Sequence, residues 1–121
     1  SIPMEKQLQA LITEQANALI NAPMTYEGAK KVAQEWLDAV GTDAEAEATK
    51  KLVAEAEADI MPIDGLIAFA GSDGAAAVFG DNAPNVLAHA KSIKEAGGRY
   101  CDCPACAACE VILNNKEALL G

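Results

Sequence analysis

Hydrophobic residues recur at steps of three and four along almost the whole chain, which is the spacing of one helix face. The pattern predicts a first helix over residues 4–21, ended by Pro23, and a second helix that Thr25 caps and Gly41 ends. The predicted apolar faces are Leu8, Leu11, Ile12, Leu19 and Ile20 in the first helix, and Ala29, Val32, Ala33, Trp36, Leu37 and Val40 in the second.

The capping sequence "TDAE" at 42–45 predicts the start of a third helix that runs to about Asp59. Pro62 then interrupts the pattern, and Asp64 is expected to cap a short helix. Three more helices are predicted, in the stretches "SDGAAAVFG", "NAPNVLAHAKSIKEAGG" and "EVILNNKEALLG". No stretch shows the apolar–polar alternation that a half-buried strand would have.

We therefore predict an all-α fold: one domain over residues 1–121, built as a compact array of six or seven short helices. The cysteine-rich segment 99–110 is expected to lead into the C-terminal helix. Composition agrees with closely packed helices, because the chain is 51% hydrophobic, with much of that alanine, and only 4% aromatic. Short connections favour antiparallel neighbours in a bundle-like array.

The net charge of −9 at pH 7 argues against nucleic acid and anionic lipid as partners, since phosphates are bound by clusters of Lys and Arg. No apolar run approaches the roughly 18 residues of a membrane span, so we predict no membrane segment. The N-terminus has no basic stretch followed by an apolar one, so no signal peptide is expected. We predict a cytoplasmic protein whose natural start is Met4, with Ser1–Pro3 an added remnant.

All four cysteines lie in the stretch "RYCDCPACAACEVIL", at Cys101, Cys103, Cys106 and Cys109. Thiols of a cytoplasmic protein usually stay reduced, so clustered cysteines there indicate metal binding or catalysis before disulfides. Thiolates are soft ligands that suit zinc and iron–sulfur clusters. The spacing C-x-C-x2-C-x2-C therefore predicts a metal centre with these four residues as ligands.

Proline prefers the first position of a helix, so Pro104 can open the last helix with Cys103 as its N-cap. Cys103 and Cys109 would then lie roughly 9 Å apart along the axis, at ~1.5 Å per residue. Two sulfurs on one zinc are at most about 4.6 Å apart, given Zn–S distances near ~2.3 Å. Either the helix begins near Ala107, or fewer than four cysteines bind the ion.

The same stretch supports a redox interpretation. "CPAC" at a helix start is similar to the C-x-x-C motif of thiol–disulfide oxidoreductases, with Cys103 as nucleophile and Cys106 as resolving thiol. The chain lacks the βαβ context in which that motif normally works. A third interpretation is that the cysteines only pack as small buried side chains.

His89, the one histidine, shares a predicted helix face with Val86 and Ile93. A partly buried, hydrogen-bonded side chain is the simpler expectation, and a role as the fourth ligand of a Cys3His site is the alternative. The acidic run at 43–59 places Glu55 and Asp59 four residues apart, but it has no Glu-x-x-His motif of a di-iron bundle. We interpret that run as a solvated helix face.

Two longer segments, "WLDAVGTDAEAEATKKLVAEAEADIMPIDGLIAFAGS" and "AHAKSIKEAGGRYCDCPACAA", together with the closing helix, carry a resemblance. They resemble a family of small bacterial proteins that often bears a heat-shock or Hsp90-like label, with "MPIDGLIAFA" and "YCDCPAC" as characteristic segments. The glycine-rich motifs of an Hsp90-type ATPase are absent, and the family has no established activity, so the resemblance implies no catalytic residue. It implies Cys101, Cys103 and Cys106 as the essential set, because relatives do not always carry a cysteine at the position of Cys109.

Together these patterns predict a small helical protein that binds one metal centre and acts as a binding or structural module rather than an enzyme. Zinc is favoured over a [4Fe–4S] cluster, because a site made from one short segment more often closes around a single ion. A module without metal is the remaining alternative. It would bind an unknown protein or a second copy of itself, and exposed apolar side chains at Ile63, Leu66 and Phe69 would support it.

Overall fold

A computed structural model describes residues 4–121, and the predicted all-α fold is confirmed for this part of the chain. It contains six helices of eight residues or more and two of five residues, with no sheet and a single isolated antiparallel bridge between Pro62 and Tyr100. The helices are α1 (Lys6–Asn21), α2 (Glu27–Ala39), α3 (Glu45–Asp59), α4 (Ile63–Ala70), α5 (Ala75–Phe79), α6 (Ala83–Glu95), α7 (Pro104–Asn114) and α8 (Lys116–Leu120). The expectations for Ser1–Pro3 lie outside the described residues.

Local polar contacts explain where α3 and α4 begin. The Glu45 carboxylate accepts from the Gly41 N–H at 2.9 Å, and Thr42 Oγ1 accepts from the Ala44 N–H at 3.1 Å, so both side chains bond within the turn that precedes α3. The predicted capping box is wrong in its register, because α3 starts at Glu45 with Ala44 as its N-cap and no side-chain cap. The expectation that Asp64 caps α4 is wrong. Pro62 occupies the cap position, and Asp64 lies in the first turn, where its carboxylate contacts Lys94 Nζ at 2.7 Å.

Contacts divide the described chain into two compact units, and the prediction of a single domain stays a prediction. The first unit comprises the residues up to Ile60 together with Cys103–Gly121, and the second is Met61–Asp102. In the first unit α1, α2, α3 and α7 form a closed ring of neighbours: α1 packs on α2, α2 on α3, α3 on α7 and α7 on α1. This is the arrangement of a four-helix bundle.

The core of the first unit is built from few large side chains and many alanines. Its largest fully buried side chains are Trp36, Ile12, Leu52, Ile112 and Val53. Trp36 Nε1 donates to Thr49 Oγ1 at 3.0 Å, so the indole N–H keeps a partner inside the bundle. Alanines such as Ala16, Ala33 and Ala56 fill the remaining contacts and let the helix axes approach closely.

The second unit packs α4 against α6. Its buried residues are Ile63, Leu66 and Ala90, and Ile67, Phe79, Val86, Ile93 and Cys101 pack partly buried against them. Ile63 and Leu66 are therefore not exposed, and the apolar surface that would have supported a docking module is absent at these two positions. Phe69 is 37% exposed, and its ring packs edge-on against Phe79 with 5.8 Å between centroids.

Among the described residues, no single helix is both long enough and apolar enough to cross a membrane. The stretch Ile63–Ala70 meets the requirement only when it is combined with Ala75–Glu95 across a bend of 95°. In both stretches apolar side chains are used for the core of the second unit, at Ile63 and Leu66 in α4 and at Ala90 in α6.

Candidate metal centre

The chain approaches the cysteines in an extended conformation that backbone hydrogen bonds hold in place. The Ile63 N–H donates to the Arg99 carbonyl at 2.9 Å, and the Cys101 N–H donates to the Met61 carbonyl at 2.9 Å. These two bonds flank the isolated bridge of Pro62 with Tyr100. The position of Cys101 is therefore fixed by main-chain contacts on both sides of residue 100.

Cys103 lies directly before proline and adopts the extended backbone that this position favours, with φ −60° and ψ 158°. It is the N-cap of α7, which begins at Pro104. The Cys106 N–H donates to Cys103 Sγ at 3.4 Å, and the Ala107 N–H donates to the Cys103 carbonyl at 2.8 Å. The helix thus begins at Pro104, as the preference of proline for the first helical position predicts, and not near Ala107.

The sulfurs of Cys101, Cys103 and Cys106 all lie within 4.8 Å of one another. Within residues 4–121 this is the only group of three or more His, Cys, Asp or Glu side chains close enough to hold one metal ion. Cys106 is buried, whereas Cys101 and Cys103 are partly exposed. All three come from six consecutive residues, so the local path of the chain brings them together.

Cys109, the fourth predicted ligand, is not brought into this group in the described part of the chain. Its side chain is 3% exposed in the core of the first unit. Burial, together with the smaller effect of the negative charges of Asp59, Cys103 and Glu55, raises the pKa of this thiol to about 11. The condition for a four-thiolate site, a helix that begins after Cys106, is not met, so Cys109 stays a buried thiol about one helical turn beyond Cys106.

His89 is not a member of the group either, and the expectation that it is partly buried is wrong. Its side chain is 60% exposed, and Nε2 lies 2.9 Å and 2.8 Å from the two carboxylate oxygens of Asp102. Asp102 stands between Cys101 and Cys103 in the chain. His89 therefore contacts the cysteine segment through a carboxylate rather than by offering its nitrogen to the thiols.

A second cluster of ionisable groups, which the interpretation of the acidic run missed, lies in the first unit. Tyr26 Oη donates to Glu55 Oε2 at 2.5 Å, and the carboxyl groups of Glu55 and Asp59 share a hydrogen bond. Asp59 Oδ2 is buried and has no hydrogen-bond partner among the described residues. The sequence carried one signal of this cluster, the four-residue spacing of Glu55 and Asp59, which places both on one side of α3.

This arrangement shifts the pKa of each group. Burial, followed by the hydrogen bond and the charge of Glu55, raises the pKa of Asp59 to about 7. Hydrogen bonds from Asp59 and then from Tyr26 lower the pKa of Glu55. The hydrogen bond to Glu55 is the main cause that raises the pKa of Tyr26 to about 12. The two carboxyl groups therefore hold one proton between them up to neutral pH.

No protein-family model, curated protein or solved structure matches this chain. The resemblance to the heat-shock-labelled family stays a prediction, and the function has to be argued from the geometry of the residues themselves.

Proposed function

We propose that the protein binds one zinc ion through Cys101, Cys103 and Cys106. The observation that carries this proposal is the mutual approach of the three sulfurs to within 4.8 Å. In a tetrahedral site with Zn–S bonds near 2.3 Å, neighbouring sulfurs lie about 3.8 Å apart. Small side-chain rotations within one short segment are enough to bring the three sulfurs to that separation.

The local structure also favours the deprotonated thiols that a metal needs. Cys103 stands at the start of α7, where backbone N–H groups have no partner in the helix and the dipole favours negative charge. The Cys106 N–H already points at Cys103 Sγ. Both effects lower the cost of a thiolate at Cys103, and a bound cation would remove the repulsion among three of them.

Three thiolates on one centre favour zinc over a [4Fe–4S] cluster. Such a cluster usually takes four cysteines and binds each on its own iron atom, so its thiolates must lie farther apart than those that share one ion. Zinc accepts three protein ligands with a fourth position left for another group. Cys109, the only other cysteine, is buried elsewhere and would have to leave the core to complete a cluster.

The experiment is native mass spectrometry with elemental analysis on protein purified without oxygen. We expect one zinc per chain in the wild type and none after Cys101→Ser, Cys103→Ser or Cys106→Ser. Cys109→Ala is the matched control, because it removes a thiol from the same helix but leaves the group of three intact. Full zinc content in all three serine variants, or its loss only in Cys109→Ala, would contradict the assignment.

A redox function is the second candidate, and the N-cap geometry favours it. Cys103 at the helix start and buried Cys106 three residues later have the positions of attacking and resolving thiols. The Cys103 thiolate would attack a disulfide of a partner protein, and Cys106 would then displace the partner's second thiolate, so that two protein thiols are oxidised as the disulfide is reduced. Metal-free protein with a Cys103–Cys106 disulfide would support this function against zinc binding.

A further inference from the structure

The three-thiolate group lacks a fourth ligand from its own chain. Among residues 4–121 no further His, Cys, Asp or Glu atom belongs to the group. Three candidate ligands from neighbouring segments have other contacts: Cys109 is buried in the bundle core, and Asp102 contacts His89 with both carboxylate oxygens. Tetrahedral zinc with three protein ligands takes its fourth ligand from outside the chain.

Solvent can reach the group. Cys101 and Cys103 are partly exposed, and only Cys106 is buried. A structural zinc site is normally closed by four protein ligands, whereas an open position is typical of sites where a ligand enters and leaves. The partial exposure of Cys101 and Cys103 gives such a ligand a route to the group from solvent.

Charge decides which kind of ligand fits this position. Three thiolates around a divalent ion carry one net negative charge, and the chain as a whole carries −9. The Asp102 carboxylate, between two of the ligands in the chain, adds another negative charge close by. An anionic fourth ligand is therefore disfavoured, and a neutral donor is favoured.

We propose that the ion held by Cys101, Cys103 and Cys106 keeps one coordination position open for a neutral ligand from solution, either water or an imidazole nitrogen. This inference rests on the proposed zinc binding. It makes the centre an exchangeable one that can accept a histidine side chain from a partner protein, rather than a closed structural site. Imidazole suits zinc as a borderline ligand and brings no charge when its ring is neutral.

Cobalt(II) bound in place of zinc provides the test, because its visible absorption reports both thiolate ligation and coordination geometry. The probes are imidazole and acetate, added to the cobalt-loaded full chain at equal ionic strength. We expect imidazole to change the spectrum in a saturable way and acetate to change it much less. No response to imidazole, or an equal response to acetate, would overturn the proposal.

Two variants show whether the chain itself closes the site. Cys109→Ala and His89→Ala should leave both the cobalt spectrum and the imidazole response unchanged, since neither side chain belongs to the group. His89 is exposed, so its replacement leaves the fold intact even if Cys109→Ala does not. A weaker thiolate-to-cobalt absorption in folded Cys109→Ala, or altered cobalt d–d bands in folded His89→Ala, would mean that the residue is a ligand and that the position is closed. Wild-type protein that binds neither cobalt nor zinc would instead refute the proposed function itself.

Discussion

Two clusters of acidic groups in this molecule are stabilised in opposite ways. Cys101, Cys103 and Cys106 gather three thiols that become anionic only if a cation or the helix start compensates their charge. Glu55 and Asp59 gather two carboxyl groups that avoid repulsion by retaining a proton, with the Tyr26 hydroxyl as a further donor. In a chain with net charge −9, the chemistry of the groups separates the two clusters: soft thiols are suited to a metal, and partly buried carboxyl groups retain a proton.

The two clusters also differ in how they are assembled. The thiols lie within six consecutive residues: the start of α7 at Pro104 fixes the spacing of Cys103 and Cys106, and a backbone hydrogen bond to Met61 holds Cys101. Tyr26 and Glu55 are 29 residues apart and meet only because α2 packs on α3 in the bundle. We therefore expect metal binding to depend on local residues, and the carboxyl pair to depend on the intact first unit.

The largest expected effect is on metal affinity. Replacing Cys103 by Ser removes a direct ligand and the charge at the helix start, so zinc affinity should fall by more than ~100-fold, since even changes in residues that only support a ligand cost 10–100-fold. Competition with a chromophoric chelator measures this affinity. Cys109→Ala should bind zinc as the wild type does, and a similar fall in that variant would break the distinction between the group of three and Cys109.

The next effect concerns stability against pH. The folded pKa of Asp59, about 7, is above its ordinary value of 3.8, so its proton stabilises the fold fully below about pH 4, and this contribution is lost as pH rises through 7. Asp59→Asn keeps the shape without the charge and should be more stable than the wild type at pH 8 by roughly 1 kcal/mol. Urea unfolding at pH 5 and pH 8 measures the difference between the two proteins.

Glu55 affects the pH dependence of stability in the opposite direction and at lower pH. Its pKa in the folded protein is lowered, so its contribution to the free energy of unfolding is lost only as pH falls through that pKa. It therefore does not cancel the Asp59 effect between pH 5 and 8. If the free energy of unfolding changes equally with pH in the wild type and in Asp59→Asn between pH 5 and 8, the carboxyl pair does not share a proton.

These predictions also show which parts of the molecule the sequence could supply. Periodicity predicted the helices, and proline preference correctly placed the start of α7 at Pro104. The predicted capping side chains were less successful, because the N-caps of α2, α3 and α4 are Tyr26, Ala44 and Pro62, none of which makes a side-chain cap. The expectation that His89 is partly buried was wrong because of its position on α6. The face of α6 that packs in the second unit contains Val86, Ala90 and Ile93, and His89 lies beside this face, exposed to solvent. The Tyr26–Glu55 contact depends on helix packing, which local spacing cannot encode.

A smaller effect is expected on the tyrosine. The hydrogen bond to Glu55 is the main reason that the pKa of Tyr26 is raised to about 12. Glu55→Gln should bring this pKa back towards the ordinary value, which ultraviolet titration can follow in a Tyr100→Phe background that leaves Tyr26 as the only tyrosine. If Glu55→Gln leaves the pKa of Tyr26 unchanged, the tyrosine does not interact with the carboxyl pair.

The smallest effect is expected from metal removal on the fold. Each unit has its own buried apolar residues, so chelation should leave the helical circular dichroism essentially unchanged. Small zinc domains without such cores unfold when the metal is removed. A large loss of helical signal on chelation would mean that the ion is structural and would argue against an exchangeable centre.

X-ray absorption at the zinc edge of the loaded wild-type protein tests most directly whether Cys101, Cys103 and Cys106 share one ion. The predicted spectrum has three sulfur neighbours at about 2.3 Å and one lighter nitrogen or oxygen neighbour at about 2.0–2.1 Å. Four sulfur neighbours would require Cys109 to leave the bundle core, and two or fewer would mean that the group of three does not form the centre. Either result would contradict the account.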